Sequence, residues 1–350
     1  MCNGEAPAYL EMPRGHQFSA LEFSAQSGRS LEECEQYCES LHKSGWISKT
    51  EGSRGVLYGQ IAFLYGIEEN HTPAFHEDPA YAGAFTGTYG SDGTQVAYSL
   101  SGTPFFITTP VCKEAVKDGA INPLDDMFAL LDTKEKFAVS PCPCRTLGIV
   151  NGGPVHIDGY PGGDYDIKDV RVDACGHYLE TCLVLGEEAE FWIDLGVGRE
   201  ISREEAKQLL QRSVDDGMIL QRIPTKEAEN ICSCHGDCCG ILSCWKMVNT
   251  SESRTFKQIS RYELEVDTDA CIGCGACVER CPMSAVSLGE DGKAELTDAC
   301  FKCGQCTLTC PAGARILVPR PEDEIMPIFE DIYEMNNRMA AERFESGLIL

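Results

Sequence analysis

The stretch CIGCGACVERCPMSAVSLGEDGKAELTDACFKCGQCTLTCP, residues 271–311, holds two copies of C-x2-C-x2-C-x3-C-P. The first runs through Cys271, Cys274, Cys277 and Cys281, and each cysteine recurs 29 residues later as Cys300, Cys303, Cys306 and Cys310. Three thiolates so closely spaced can wrap three corners of an iron–sulfur cubane. Gly273, Gly275 and Gly304 permit the tight turns between them and let backbone N–H groups approach the sulfurs. Paired zinc sites usually show two cysteine pairs separated by roughly a dozen residues or more, which fits this repeat poorly.

On these residues the stretch resembles the bacterial two-[4Fe-4S] ferredoxin module, motif for motif, over about a fifth of the chain. The resemblance implies that the fourth cysteine of each copy, turned away by the following proline, serves the other cluster. Cys271, Cys274, Cys277 and Cys310 would then hold one cluster, and Cys300, Cys303, Cys306 and Cys281 the second.

A chain of 350 residues has room for two or three domains. Its net charge of -26 sets it against phosphate, so neither nucleic acid nor an anionic membrane surface is expected as a partner. A basic patch on a redox partner protein, or on a larger oxidoreductase complex, is the natural match. Disulfide scaffolds rich in cysteine are small and carry signal peptides, whereas the start MCNGEAPAYLEMPRG has neither a basic nor an apolar leader region. No apolar run of about 18 residues occurs. The 21 cysteines therefore point to a cytoplasmic chain in a reducing, anaerobic setting, without direct membrane insertion.

Residues 16–60 read as helix, turn, helix and hairpin, a winged-helix-like pattern. Phe18, Leu21 and Ala25 share one face of the first helix, which Gly28 breaks. Ser30 and Glu33 form a capping box for the second, with Leu31, Cys34, Cys38 and Leu41 as its core stripe. Glu32, Glu33, Glu35 and Glu39 against a lone Lys43 make that helix repulsive to DNA, so the unit reads as a docking or structural module. In the segment to residue 140, FHEDPAYAGAFTGTYGSDG is turn-rich and offers no chemical motif; His71 and His76 read as surface or core histidines. TPFFITTP is a short strand and LDDMFALLDTKEKFAVS an amphipathic helix.

The second informative region opens with PCPCR (Cys142, Cys144, Arg145), passes CGHYLETC (Cys175, His177, Cys182) and ends in ICSCHGDCCGILSC. That last segment carries Cys232, Cys234, His235, Cys238, Cys239 and Cys244. Soft thiolates gathered at C-x-C and C-C steps select iron–sulfur, zinc or copper. One or more further [4Fe-4S] clusters on Cys142, Cys144, Cys175, Cys182, Cys232, Cys234, Cys238 and Cys239 are expected, with zinc or a redox-active thiol set as the alternatives. Arg145 could steer an anionic substrate or hydrogen-bond a cluster sulfide. Ser202 and Glu205 cap a scaffold helix with Ala206, Leu209, Leu210 and Val214 as its stripe, followed by a strand over Met218–Ile223. GIVNGGPVHIDGYPGGDYD lacks the spacing of a phosphate-binding loop and reads as an ordinary one. ISRYELEV is a strand leading into the ferredoxin stretch, and residues 321–344 read as a terminal helix packed on the body.

The order CxCR…C…C…GR.ISxEEA…ICxC…CC before a two-cluster ferredoxin domain is similar to a family of anaerobic-bacterial 4Fe-4S binding proteins with a winged-helix-like N-terminus. That family often reads ICNCCGCC where this chain has ICSCHGDCC, so one thiolate position is lost or taken by His235. The expected fold is a multidomain α+β chain. It comprises a winged-helix-like domain (1–65), a connecting segment (66–140), a cysteine-rich middle domain (141–250), a two-cluster ferredoxin domain (251–320) and a terminal helix (321–350). Three functions remain open at this point. They are single-electron transfer to or from a partner oxidoreductase, a reductase with its own site-differentiated cluster in the middle region, and a redox-sensing winged-helix regulator.

Overall fold

The computed structural model describes residues 4–61, 66–89, 101–150, 169–172, 175–248 and 259–345. The Gly-rich reading from Asn151 onward lies outside them, as do the side chains of His76 and Cys244. Helices Ala20–Ser27 and Leu31–Lys43 are followed by an antiparallel hairpin of β1 (Ile47–Gly52) and β2 (Gly55–Gln60). The Ser30 hydroxyl accepts the Glu33 N–H while the Glu33 carboxylate accepts the Ser30 N–H, a reciprocal cap of about 1 kcal/mol. Cys34, Cys38 and Leu41 are fully buried with Phe18, Phe23 and Tyr58. Leu21 and Leu31 instead face solvent, at 65% and 41% exposure. The first helix starts only at Ala20, so Phe23 rather than Leu21 meets the core.

A six-stranded antiparallel sheet positions the middle region. Its strands are β3 (Ile107–Thr109), β4 (Phe137–Pro141), β5 (Glu180–Leu185), β6 (Arg199–Glu200), β7 (Ile219–Arg222) and β8 (Asn230–Cys234), in the order β3-β7-β8-β5-β4-β6. Side chains alternate between faces along a strand. Leu183, Leu185, Leu220 and Ile231 pack with Ala206, Leu209, Leu210 and Val214 of helix Arg203–Asp215. Cys182, Val184, Ile219 and Cys234 belong to a second core with Trp192, Phe105 and Phe106. The segment read as one helix over LDDMFALLDTKEKFAVS divides into helix Met127–Asp132 and β4, because Phe137–Val139 are needed on the sheet. The turn-rich stretch after His71 folds into helices Ala74–Glu77 and Pro79–Tyr89.

The C-terminal module pairs β9 (Tyr262–Val266) with β12 (Arg315–Pro319) and β10 (Val286–Leu288) with β11 (Ala294–Leu296), all antiparallel. It docks on the C-terminal end of helix Arg203–Asp215. Arg280 donates to the Val214 and Asp215 carbonyls, and the buried Gln305 amide donates to those of Val214 and Met218. Carbonyls orphaned at a helix end are thus satisfied by a cation and an amide from another module. The terminal helix is shorter than its sequence suggests, Ile332–Glu345, with Met335 and Met339 buried and Phe344 exposed. Residues 322–324 form only a 3-10 turn, and the Phe329 backbone pairs with Pro224 and Lys226 instead. Among the described residues no helix is long and apolar enough to cross a membrane.

Candidate metal centres

The repeat in the ferredoxin stretch is also a repeat in backbone conformation. Gly273, Gly275 and Ser284 have φ of 67°, 78° and 53°, and their counterparts 29 residues on, Lys302, Gly304 and Gly313, have 55°, 87° and 60°. Gly275 and Gly304 each begin a one-turn helix, Ala276–Glu279 and Gln305–Leu308. The Ala285 N–H donates to Cys281 Sγ at 3.2 Å and the Ala314 N–H donates to Cys310 Sγ at 3.3 Å, again one repeat apart. Because Ser284 sits in the left-handed region that its counterpart Gly313 occupies freely, Ser284→Gly should raise stability by about 1 kcal/mol. Thermal unfolding of the anaerobically purified protein measures it.

Two cavities of about 20 Å³ each divide the eight cysteines of this stretch. Cys271, Cys274, Cys277 and Cys310 line one with Val266, Ala294 and Arg315. Cys281, Cys300, Cys303 and Cys306 line the other with Leu264, Met283 and Phe301. Each therefore takes its fourth cysteine from the other copy of the motif, a donor set that fits a [4Fe-4S] cluster. Backbone N–H groups of Ala294 and Gly273 hold the Cys271 thiol below its ordinary pKa. The first cavity is the outer one, since Cys274 is exposed. The second is the inner, with Cys281, Cys300 and Cys303 packed against the core that contains Cys182, Cys234 and Cys239.

That core holds a third cavity, about 40 Å³, lined by Cys142, Cys144, Cys182, Cys232, Cys234, Cys238 and Cys239 together with Glu69, Phe106, Arg145 and Gln221. The C-x-C step in β8 has a simple cause: residues two apart on a strand share a face, so Cys232 and Cys234 point the same way. Cys142 follows β4 and Cys144 lies in helix Pro143–Val150, while Cys239 precedes helix Gly240–Val248. Six sulfurs form a row of hydrogen-bonded neighbours: Cys142, Cys144, Cys239, Cys234, Cys232, Cys182. Along it Cys142, Cys239 and Cys232 are held down by the neighbouring thiols, and Cys144, Cys234 and Cys182 are pushed up by giving those bonds. Cys175 does not line this cavity, and Cys238 is hydrogen-bonded to Cys175 rather than to the row. The eight middle cysteines expected to hold one or more clusters thus divide into six and two.

Arg145 lies between these groups at 1% exposure. It donates to Thr181 Oγ1 (2.6 Å), the Tyr178 and Ser233 carbonyls (3.1 and 3.2 Å), Cys238 Sγ (3.3 Å) and Met218 Sδ (3.8 Å). Burial disfavours its charge, yet the surrounding Cys142, Cys238 and Cys175 thiolates drive its pKa further up. Among the described residues no carboxylate forms an ion pair with it, and the surrounding cysteine sulfurs are what favours its charge. Its donors are committed to protein atoms, which leaves substrate steering out of reach.

Glu69 on the cavity wall was not foreseen from sequence. Burial pushes its carboxyl up to about 8, and it accepts the Gly66 N–H. No local pattern marks it, because the cysteines that line the cavity with it begin only at Cys142, far downstream. The His235 and His177 rings lie 4.3 Å apart, tilted by 43°, beside Asp237 and also outside the six-sulfur row. Burial, with His235 and Arg145 nearby, holds His177 down to about 4, and the Cys238 hydrogen bond holds Cys175 to about 6.

A larger cavity of about 310 Å³ separates the N-terminal hairpin from helix Glu187–Asp194 and the terminal helix, lined by Lys49, Glu188, Glu229, Asn230 and Tyr333 among others. Burial lifts Glu188 from 4.5 to about 8, aided by Glu229, which burial lifts to about 7. The folded chain therefore keeps protons on these carboxyls that the unfolded chain has lost above about 4.5. Their contribution to stability is fully present at acid pH and disappears as pH rises through about 7 to 8. Glu188→Gln, which keeps the acceptor for the Trp192 N–H, should flatten this decline and raise the melting temperature at mildly alkaline pH. Melting curves across that window measure it.

Comparison with known proteins identifies one part of the chain. Residues 270–314 match the family described as a 4Fe-4S dicluster domain. A protein named "Ferredoxin" from Pyrobaculum islandicum is 48% identical over 40 residues, 11% of this chain and 37% of that protein. A "Probable ferredoxin" from Methanosarcina thermophila is 53% identical over 30 residues, 9% of this chain and 52% of that protein. The chain thus spans about a third to a half of the length of these curated relatives. No solved structure matches it. The C-terminal module is a ferredoxin-type domain for [4Fe-4S] clusters, and such a domain supports iron–sulfur electron transfer.

Proposed function

We propose that this chain is an electron-transfer protein or subunit. In this reading its two ferredoxin clusters continue into at least one further iron–sulfur cluster on Cys142, Cys144, Cys182, Cys232, Cys234 and Cys239. Single electrons would pass to or from a partner oxidoreductase in the cytoplasm. The observation that carries the reading is the row of six sulfurs around one cavity, in the same core as the inner ferredoxin cavity. A bound [4Fe-4S] cluster takes up or gives one electron at a time, at a potential set by hydrogen bonds to sulfur, burial and nearby charge. Cys271, Cys274, Cys277 and Cys310 would form the outer station, Cys300, Cys303, Cys306 and Cys281 the inner one. The helix pair and hairpin before residue 65, read as winged-helix-like, would serve as a docking module, and the -26 net charge favours a basic partner surface. Iron and acid-labile sulfide per chain, on protein purified without oxygen, test the reading. It requires more than about eight of each, the content of two [4Fe-4S] clusters. About eight would refute the additional cluster.

The contact between middle and inner stations is also testable. The Gly236 N–H donates to the Pro282 carbonyl, and a Cβ at Gly236 would stand 2.5 Å from that oxygen and 3.1 Å from Met283 Sδ. Gly236→Ala should push the two loops apart, cost about 1–3 kcal/mol and slow electron passage between the stations. Stopped-flow reduction followed at each cluster signal measures it. A second reading, a reductase whose middle cluster has an open iron position, draws on Glu69, a carboxyl with raised pKa on the cavity wall. A change of the middle cluster's EPR signal on adding a small exogenous ligand would support it.

A further inference from the structure

Ligand spacing separates two kinds of site in this molecule. A tetrahedral ion with bonds of about 2.0–2.3 Å holds its ligand atoms about 3.3–3.8 Å apart. A cubane puts each thiolate on a different iron and spreads them further. Among the described residues, two groups have every ligand atom within 4.8 Å of the others: Cys175, Asp237 and Cys238, and His177, His235 and Asp237. Neither the six sulfurs of the row nor the ferredoxin cysteines form such a group.

Asp237 belongs to both groups, so they meet at one carboxylate. Its Oδ2 lies 3.8 Å from His177 Nε2 and its Oδ1 lies 2.8 Å from His235 Nδ1. His177 is 8% exposed, and its Nε2 is buried without a hydrogen-bond partner. A buried nitrogen left unpaired is destabilising unless something occupies its lone pair.

We propose that Cys175, Cys238 and Asp237, already mutual neighbours, bind a single zinc ion, and that His177, which neighbours the same carboxylate in the second group, closes on it as the fourth ligand, with His235 as the positioning residue at the second oxygen of Asp237. Two thiolates, an imidazole and a carboxylate form a mixed donor set of the kind zinc takes in closed tetrahedral sites. The 2.8 Å ion-pair contact between His235 Nδ1 and Asp237 Oδ1 is the outer-shell contact that orients a ligating carboxylate. Two thiolates and one carboxylate around a divalent ion leave a single net negative charge, and Arg145, 3.3 Å from Cys238 Sγ, balances it. The ion ties the turn before β5 to the turn after β8. It thereby fixes one wall of the six-sulfur cavity through Cys238 and Arg145. All four positions are filled by protein, so its role is structural.

The site stands apart from the iron count. Zinc, iron and labile sulfide are measured per chain on the full-length protein purified without oxygen, for wild type, Cys175→Ser, His177→Ala and Asp237→Asn. The expected result is one zinc per chain in wild type, lost in Cys175→Ser, with iron and sulfide unchanged. His177→Ala and Asp237→Asn should release zinc to a chelator at roughly tenfold lower chelator concentration or less. Cobalt exchanged into wild type should show thiolate charge-transfer bands that Cys175→Ser lacks. Wild type that holds no zinc and takes up neither zinc nor cobalt would overturn the proposal. So would a Cys175→Ser protein that keeps its zinc and loses iron. Far-UV circular dichroism and the ferredoxin EPR signal identify a variant that has unfolded, in which case His177→Ala and Asp237→Asn decide. A wild-type iron content of only about eight would refute the additional cluster and leave the zinc result standing.

Discussion

Cys234→Ser, purified without oxygen, should return iron and labile sulfide to about eight of each per chain from a higher wild-type value. Cys234 is in β8, 8% exposed, hydrogen-bonded between Cys232 and Cys239 in the sulfur row. Serine keeps the shape of the side chain and removes the soft donor, so the sheet should persist while the middle site fails. The ferredoxin domain draws its eight cysteines from residues 271–310 alone, and its EPR signature should survive. An unchanged iron content would remove Cys234 from any cluster. Loss of all iron would show that the two regions do not load independently.

Arg145→Met should destabilise the middle region by about 3–5 kcal/mol and make the cluster proposed there harder to reduce. Methionine fills much of the volume but leaves the surrounding thiolates without their buried cation. It also orphans the Tyr178 and Ser233 carbonyls and the Thr181 hydroxyl, each of which now accepts from the guanidinium. With a positive charge removed beside the sulfurs, adding an electron costs more, so the midpoint potential moves negative. Arg145→Lys should recover little, because one ammonium cannot reach acceptors spread around a planar guanidinium. Unfolding curves and a potentiometric titration measure both effects. A midpoint potential that stays put in a folded Arg145→Met protein would place Arg145 away from any redox centre.

Local chemistry was readable in the chain. The Ser30–Glu33 cap, the stripe of helix Arg203–Asp215, the hairpin before Gln60 and the strand at Tyr262–Val266 depend on neighbours a few residues apart. Elements that depend on a distant surface were misread. Phe137–Val139 continue a helical pattern in sequence, but a strand position beside Leu183 and Leu185 claims them. Residues 321–331 carry helix-forming acids, yet Phe329 is held in extended pairing by Pro224 and Lys226.

The same division holds for the sites. Sequence alone determined the ferredoxin-type domain, because each motif packs three donors within seven residues and the turns between them are set by local backbone conformation. Only the tertiary structure decided how the middle cysteines divide. Arg145 and Cys238 are 93 residues apart in the chain and 3.3 Å apart in space. Which sulfurs share a cavity follows from strand order and register, with Ile219 opposite Cys234 and Ser140 opposite Cys182. Cysteine spacing carries no record of that register, since the sheet is assembled by burial of apolar faces contributed from all along the middle of the chain.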